Sequence, residues 1–322
     1  MGYVATIGMF DGVHLGHQFV LRRVTACARE EGLQSMAITF DHTVRCEPVL
    51  TPLDEKCRLI SLAGIDRVEV LAFTDELKRM TAREFMQQVL RDRLGVAVLL
   101  TGYDNRFGHN REEGFDDYVR YGHELGIDVR CLPPLNLPAN PASSPDQHIT
   151  SLTSHLSPLT SRAVSSSLIR QLLTEGKVDD AAQCLGRPYA VSGTVEHGEH
   201  VGTALGYPTA NLLPAHQQQL IPAEGVYAVR VTLDSTGERP LPAMMNIGHR
   251  PTFGGRRQTL ETHIFDLKAD LYGQQMQVEF VERLRSERRF DSPEALRSQL
   301  RQDAEQARQC LTQKVRTDGL AL

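Results

Sequence analysis

Two histidines, His14 and His17, stand three residues apart with Gly16 between them, where an apolar run gives way to a helix-like segment. The glycine lets the backbone approach a bulky anion, and the first turn of a helix offers free N–H groups and a positive dipole end. Imidazoles add hydrogen-bond donors for phosphate oxygens. The pair therefore favours a phosphate site; the alternative is two histidines that only satisfy hydrogen bonds where the helix begins.

Other phosphate and metal chemistries fit this segment less well. The two histidines do not match the HExxH spacing of zinc enzymes, and no nearby cysteine or carboxylate cluster completes a metal set. The chain also contains no GxxxxGK[ST] motif, which excludes an ordinary P-loop kinase.

A second chemical pattern is the run Pro208-Thr209-Ala210-Asn211. The threonine hydroxyl and the asparagine amide oxygen project from the same side of an extended segment, because side chains alternate along a strand. Both are oxygen ligands that suit magnesium or a phosphate. An isolated TxN pair is also compatible with a turn in which Asn211 caps the next element.

The elements that must position the histidines alternate between strands and helices. Predicted strands cover 4–8, 35–40, 68–73, 96–102 and 127–132, and predicted helices cover 19–30, 82–94, 112–125 and 165–176. Thr81 and Glu84 form a capping box at the second of these helices. The alternation predicts a mostly parallel α/β sheet with helices on both faces. Ligands bind such sheets beyond the carboxyl ends of the strands, so the histidine segment and TGYDNRFG (101–108) are expected to share one site.

The second half of the chain reads as strands without intervening helices. They are predicted at 189–195, 226–233, 243–248, 260–267 and 276–284, separated by Gly- and Pro-bearing turns, which favours a small antiparallel barrel. A helix capped by Ser292 and Pro293 follows. Its apolar stripe, expected to be core or docking surface, consists of Leu296, Leu300, Ala304, Ala307 and Leu311.

A composition shift separates the two halves. Residues 133–163 contain six of the 16 prolines among many Ser, Thr and Asn residues, which predicts a long exposed loop or lid. We expect two domains, 1–184 and 185–322.

Composition and charge narrow the function classes. The 322 residues are 41% hydrophobic and carry a formal net charge of −5, which argues against broad electrostatic binding of nucleic acid or an anionic membrane. Six scattered cysteines without a CxxC pair favour reduced thiols. The longest apolar runs are too short to span a bilayer, and we expect no signal peptide before the first strand. We expect a cytoplasmic protein, monomeric or weakly homo-oligomeric, without nucleic-acid or membrane partners.

Two short motifs resemble known signatures. HLGH (14–17) is similar to the HxGH signature of nucleotidyltransferases, which transfer AMP from ATP, and SSSLIR (165–170) resembles their second signature. The resemblance implies that His14 and His17 hold the ATP phosphates and the departing pyrophosphate, while Ser166 and Arg170 bind from the other side. The further ATP-binding residues that it implies in this half are Gly8, Phe10, Asp11, Gly16 and Asp104. For Asp11, a structural role in the FDG turn is the alternative.

The second half adds more specific motifs, namely LGRPY (185–189), GTVEHGEHVG (193–202), PTAN (208–211), GVYAV (225–229), NIGHRPTF (246–253) and ETHIFD (261–266). Together they look like a riboflavin kinase module. Joined to the HxGH half, the whole chain resembles the bacterial family of bifunctional riboflavin kinases and FMN adenylyltransferases, often called FAD synthetases. The resemblance implies a Rossmann-like domain followed by a six-stranded antiparallel β-barrel with a C-terminal helix. It implies ATP, riboflavin and FMN as substrates and Mg²⁺ as cofactor.

The same resemblance assigns the kinase residues. Glu261 accepts the proton of the attacking ribityl hydroxyl, a task that suits a carboxylate. Thr209 and Asn211 ligate the metal. The ATP-binding set of this half is Gly193, Gly198, Pro208, Thr209 and Asn211, with the glycines letting loops fold over the nucleotide. The flavin-binding set is His42 and Arg45 in the first half and Arg285 in the second.

One departure keeps other readings open. TFDHTVR (39–45) lacks both prolines of the family's TFxPHPR-like run. An alternative is therefore a riboflavin kinase with a degenerate N-terminal nucleotide-binding domain. A flavin-binding sensor without turnover is a third reading, disfavoured because Thr209, Asn211 and Glu261 are all present.

Overall fold

The computed structural model describes residues 2–41, 48–102, 105–109, 112–132, 164–197, 206–237, 239–252, 255–267 and 269–318. These residues form two compact units, one up to Leu132 together with 164–166, the other from Ser167 onward. Four predicted site residues and the predicted loop lie outside the described residues: His42, Arg45, Asp104, Gly198 and 133–163. Within the described residues, no helix is long and apolar enough to cross a membrane.

The first unit is built on a parallel sheet. Its strands are β1 (Tyr3–Ile7), β2 (Gln34–Phe40), β3 (Arg67–Leu71), β4 (Val96–Gly102) and β5 (Asp128–Leu132). They lie in the order β3-β2-β1-β4-β5, and every neighbouring pair is parallel. The central strand β1 pairs through Ala5 with Met36 on one side and Leu99 on the other. The predicted Rossmann-like sheet is confirmed.

Helices cover both faces of this sheet. They are α1 (Leu15–Glu31), α2 (Leu53–Leu62), α3 (Asp75–Arg79), α4 (Ala82–Glu84), which continues as a π-helix over Phe85–Arg93, and α5 (Phe115–Leu125). One core packs α1 residues such as Leu21 and Val24 against the sheet, and a separate core packs Phe85 and Tyr118. The predicted capping box of Thr81 and Glu84 is present.

Helix α2 was not predicted, and its sequence explains why. It begins after Pro52, which gives no side-chain cap, and its buried positions are Lys56 and Ile60. A lysine on the buried face disguises the apolar periodicity from which amphipathic helices are recognised. Helix α3 was also missed because five residues are too few for that periodicity.

The second unit is a closed antiparallel barrel preceded by two helices. The helices are α6 (Ser166–Thr174), shared with the first unit through Ser166, and α7 (Val178–Leu185). The strands are β6 (Tyr189–Glu196), β7 (Ala210–Pro214), β8 (Gly225–Leu233), β9 (Leu241–Thr252), β10 (Gly255–Ile264) and β11 (Gln275–Arg285). They close in the order β10-β7-β6-β11-β8-β9. The six-stranded barrel is confirmed, although β10 ends three residues before the predicted limit because Asp266, with φ of 60°, lies in a turn.

The C-terminal helix α8 (Pro293–Asp318) covers one side of the barrel. Its buried residues Ala307 and Leu311 pack with Ala228, Met244 and Val281 of the strands. Leu300 and Ala304 are partly buried against the same cluster, so four of the five residues of the predicted stripe pack in the core. Helix α7 contacts β6 and β11, and Leu173 O accepts a hydrogen bond from Ala223 N. These helices thus pack with the barrel, while the domain boundary at 184/185 stays a prediction.

Candidate active sites

A cavity of about 530 Å³ opens at the carboxyl edge of the parallel sheet. Residues at the ends of three strands line it, among them Gly8, Phe40 and Gly102. His17 and Asn105 also line this cavity, and Asn105 Nδ2 donates a hydrogen bond to Ile7 O at 2.7 Å. The histidine segment and the 105–108 segment therefore face one site, as predicted, at the point between β1 and β4 where strand order reverses.

The turn that leads into the histidines has an unusual backbone. Phe10 and Val13 have φ values of 48° and 39°, and Gly12 has 86°. For residues with a side chain this left-handed region costs about 1–3 kcal/mol each and persists only where the surroundings hold it. Asn or Gly would be the ordinary choice at such positions.

Buried polar contacts hold this turn. The Asp11 carboxylate accepts hydrogen bonds from Leu50 N at 3.0 Å and Thr51 N at 3.2 Å. Ser166 Oγ donates to Asp11 O at 2.8 Å, and Thr39 Oγ1 donates to Met9 O at 3.2 Å. The contacts support the structural role of Asp11, and they bring Ser166 of the second signature to the histidine turn.

His14 caps helix α1, and His17 stacks on it. His14 Nδ1 accepts a hydrogen bond from His17 N at 3.3 Å, and the two ring centroids lie 3.6 Å apart. The Phe10 ring meets His17 edge-on at 5.3 Å. A Cβ at Gly16 would lie 3.1 Å from His14 Cε1, so the glycine leaves room for the capping imidazole.

The electrostatics keep His17 neutral. Burial lowers its pKa well below the ordinary 6.5, and the nearby His14 and Lys56 lower it further. His17 Nδ1 is buried without a hydrogen-bond partner among the described residues. A buried polar atom left unpaired is costly, so a ligand that supplies its partner would be favoured there.

Contacts with Tyr118 and Ala82 hold the 105–109 segment in place. Tyr118 OH donates to Phe107 O at 3.2 Å and accepts from Phe107 N at 3.0 Å, and the two rings stack 4.1 Å apart. Gly108 has φ of +93°, and a Cβ there would lie 2.6 Å from Ala82 N. Asn105, which the sequence reasoning did not single out, joins this segment to β1.

A second candidate site runs across the outside of the barrel. Glu196 opposes Asn211, Asn211 opposes Glu261, and Glu261 opposes Asn246 in the ladders of β6, β7, β10 and β9. Side chains that oppose directly have Cβ atoms about 4.5–5.5 Å apart and share a face. Their sequence neighbours on these strands point inward and are buried, as at Ala210, Leu260 and Met245. The four form one outer polar row.

Thr209 extends this row. It is separated from Asn211 by the buried Ala210, so both project outward. His263 Nδ1 hydrogen-bonds Pro208 O at 2.8 Å, and the Tyr207 ring meets the His263 ring at 5.2 Å. These contacts fix the segment that enters β7.

The donor set of this row suits magnesium. Hydroxyl, amide and carboxylate oxygens from Thr209, Asn211 and Glu261 are hard ligands. The described residues contain no cluster of three or more His, Cys, Asp or Glu side chains that could hold a metal. An ion that binds through one or two protein oxygens and the nucleotide phosphates needs no such cluster.

Two predicted kinase residues have other surroundings. Gly193 lies inside strand β6, within the strand predicted at 189–195, and a Cβ there would overlap Leu213 O, so it is not part of a loop that could fold over the nucleotide. Arg285 Nε and Nη2 donate to Asp303 at 3.0 and 2.7 Å, and Asp303 is only 1% exposed. This ion pair joins α8 to β11.

Glu287 lies close to the Asn246 end of this row. A Cβ at Gly248 would lie 3.2 Å from Asn246 Nδ2 and would overlap the Glu287 carboxylate. Asn246 stands in the NIGHRPTF motif, which was its only sequence signal, and Glu287 had none. The two residues predicted from the second nucleotidyltransferase signature, Ser166 and Arg170, both lie on α6. Ser166 belongs to the first unit and Arg170 to the second.

Comparison with known proteins matches both halves. The family model described as FAD synthetase matches residues 1–146, and the riboflavin kinase model matches residues 185–311. A crystal structure described as a macrolide-efflux protein from Streptococcus pneumoniae is 28% identical with a TM-score of 0.80, covering 95% of this chain and 94% of that one.

Curated relatives agree over nearly the full chain. The bifunctional riboflavin kinase/FMN adenylyltransferase of Escherichia coli K12 is 36% identical over 96% of this chain and 92% of its own length. The proteins of the same name from Pseudomonas fluorescens and Listeria monocytogenes are 35% and 31% identical over 95% of this chain, covering 92% and 91% of theirs. With both domains matched and both candidate sites in place, this chain belongs to the bifunctional riboflavin kinase and FMN adenylyltransferase family.

Proposed function

We propose that this chain makes FAD from riboflavin in two steps at two sites. In the first step the γ-phosphoryl group of ATP passes to the terminal ribityl hydroxyl, giving FMN and ADP. In the second step the FMN phosphate attacks the α-phosphorus of another ATP, giving FAD and pyrophosphate. The observation that carries the proposal is the presence, in one chain, of the histidine turn at the sheet edge and the Glu261 row on the barrel.

For AMP transfer, His14, His17 and the start of α1 hold the phosphates, and Ser166 supports the turn. A neutral His17 keeps one N–H to donate to a phosphate oxygen. Orientation and charge neutralisation supply the acceleration, so no covalent enzyme intermediate is needed. Arg170 and Asp104 remain proposed contacts of phosphate and adenosine. Gly8, Phe10 and Gly16 shape the wall against which the nucleotide lies.

The flavin of FMN is proposed to lie toward β2 and β3. That side of the cavity is apolar, with Phe40 and Phe73 edge-to-face at 5.4 Å and with Leu77 and Met80 alongside. An isoalloxazine ring suits such aromatic walls. His42 and Arg45, which follow β2 in the sequence, remain the proposed partners of the FMN side.

For phosphoryl transfer, Glu261 orients the ribityl hydroxyl and takes its proton. Thr209 and Asn211 hold Mg²⁺ and the ATP phosphates beside it. Bound magnesium offsets the charge that develops on the transferring group. The register that places Glu261 opposite Asn211 supports a proton acceptor and a metal ligand side by side.

Cellular location and assembly remain proposals. Cys27, Cys57, Cys131, Cys184 and Cys310 are free thiols, which supports a reducing compartment such as the cytoplasm. The absence of nucleic-acid partners remains an expectation from the net charge, and the monomeric or weakly oligomeric state remains an expectation as well.

The test supplies the purified chain with Mg-ATP and either riboflavin or FMN and separates the three flavins by chromatography. FAD from both substrates supports the two-step enzyme. FMN from riboflavin with no FAD from either substrate supports the kinase-only alternative, which the FAD synthetase match already disfavours. Flavin binding without turnover would support the sensor.

A further inference from the structure

Lys56 is a fully buried lysine that the proposed chemistry does not use. It lies in α2 and is 0% exposed. Its ammonium donates hydrogen bonds to Met9 O at 3.2 Å and to Phe40 O at 2.9 Å. Lysine is among the residues least often buried in proteins, because removing an ammonium from water is costly.

The two carbonyl groups belong to two walls of the AMP-transfer site. Met9 lies in the turn that leads into the histidines, between Gly8 and the strained Phe10, and Phe40 ends β2. Both residues line the cavity. The ammonium therefore bridges the histidine turn to the neighbouring strand.

The charges around Lys56 keep it protonated at neutral pH. Desolvation lowers its pKa to about 8, while Asp11 of the turn, Asp41 after β2 and Cys57 on its own helix raise it. The positive charge in turn lowers the pKa of His17. Packing alone would be met by an apolar side chain, which would avoid the desolvation cost.

We propose that Lys56 is a positioning residue for AMP transfer, whose ammonium holds the histidine turn against the end of β2. This rests on the proposed role of His17. The strained turn needs an external clamp, and Lys56 supplies a charged one, since hydrogen bonds from ionised donors are about twice as strong as neutral ones. The same charge favours the neutral imidazole of His17.

The test uses the full chain, whose kinase activity is an internal control. K56M removes the ammonium at similar length, and K56Q keeps a neutral donor. We expect kcat for FMN adenylylation to fall on the order of 10²-fold in K56M and about tenfold in K56Q, with KM values within about threefold, because misplacement of reacting groups acts on the chemical step. Riboflavin phosphorylation stays within about twofold in both, because Lys56 lies in the first unit and the proposed kinase residues lie in the second.

The pH profile of adenylylation distinguishes a positioning role of Lys56 from a role in folding alone. Without the Lys56 charge the His17 pKa rises, so the acid limb of kcat/KM for adenylylation moves to higher pH in both variants. R58M, on the exposed side of the same helix, where Arg58 is 58% exposed, should change neither profile. Thermal unfolding of all three variants shows whether each one is folded.

Three results would overturn the proposal. They are an unchanged adenylylation kcat in K56M, a kcat loss without the shifted acid limb, and failure of both variants to fold, which would make Lys56 a folding residue. A wild-type chain that makes no FAD from FMN would instead contradict the proposed function.

Discussion

Glu261 of β10 stands directly opposite Asn211 of β7 in the antiparallel ladder of the barrel, although 50 positions separate them in the sequence. The pairing puts a proton acceptor beside an amide oxygen that suits magnesium, on the outer face and next to Asn246. One strand pair therefore gathers the acid–base group and the metal ligand of the proposed phosphoryl transfer.

Asn211→Ala should impair the use of magnesium by the kinase. Removing one protein oxygen weakens the ion's site, so we expect the Mg²⁺ concentration for half-maximal FMN formation to rise about tenfold or more. A magnesium titration with saturating ATP measures it. The magnesium dependence of FAD formation from FMN in the same variant should not move; an unchanged titration of the kinase would remove Asn211 from the metal site.

Gly16→Ala should disturb AMP transfer selectively. The added Cβ would sit 3.1 Å from His14 Cε1, so the capping ring must shift. We expect kcat/KM for FMN adenylylation to fall at least about tenfold while phosphorylation of riboflavin is kept. Glu30→Ala, an exposed change on the same helix, serves as the control. Normal adenylylation in Gly16→Ala would show that the stacked imidazoles tolerate displacement.

Asp303→Asn should destabilise the barrel without weakening riboflavin binding. The change leaves Arg285 without its buried carboxylate, and breaking such a pair costs about 3–5 kcal/mol. Urea unfolding monitored by circular dichroism should show the loss, while KM for riboflavin stays near the wild-type value. A strong change in that KM with unchanged stability would contradict this expectation and support the flavin contact predicted for Arg285.

The pH dependence of stability should report on His17. Its pKa in the folded state is below 6.5, so the unfolded chain binds the proton more readily. The resulting stability is present above pH 6.5 and is lost as pH falls through the folded value. His17→Asn should therefore flatten the decline of the unfolding free energy below pH 6.5, measured by urea titration at several pH values. Parallel slopes in the two proteins would argue that His17 does not carry a lowered pKa.

Local sequence signals predicted much of the fold. Alternating strands and helices, the Thr81–Glu84 capping box and the stripe on α8 each rest on short-range patterns, and the structure confirms them. Helix α2 was not predicted because Lys56 occupies its buried face. The burial of this lysine becomes clear only from the structure, in which its ammonium donates a hydrogen bond to Met9 O of the histidine turn.

The sites were predictable in residue type more than in arrangement. Motifs indicated His14, His17, Thr209, Asn211 and Glu261, but no local pattern gives the register that places Glu261 beside Asn211. Gly193 falls within the strand predicted at 189–195, but no local pattern shows that the close carbonyl group of Leu213 leaves no room for a Cβ there. The ion pair of Arg285 had no local signal, because its partner Asp303 lies 18 positions away on another element; the flavin contact of Arg285 stays a prediction.

The most direct test of two separate sites is a crossed assay of two variants, each changed at one site. Glu261→Gln should lower FMN formation from riboflavin by about 10²–10⁴-fold and leave FAD formation from supplied FMN intact, because it removes only the proton acceptor. His17→Asn should do the reverse. Glu279→Gln, another barrel-strand carboxylate, which opposes Arg230, should keep both rates. Loss of both activities in either site variant, or unchanged FAD synthesis in His17→Asn, would contradict the account.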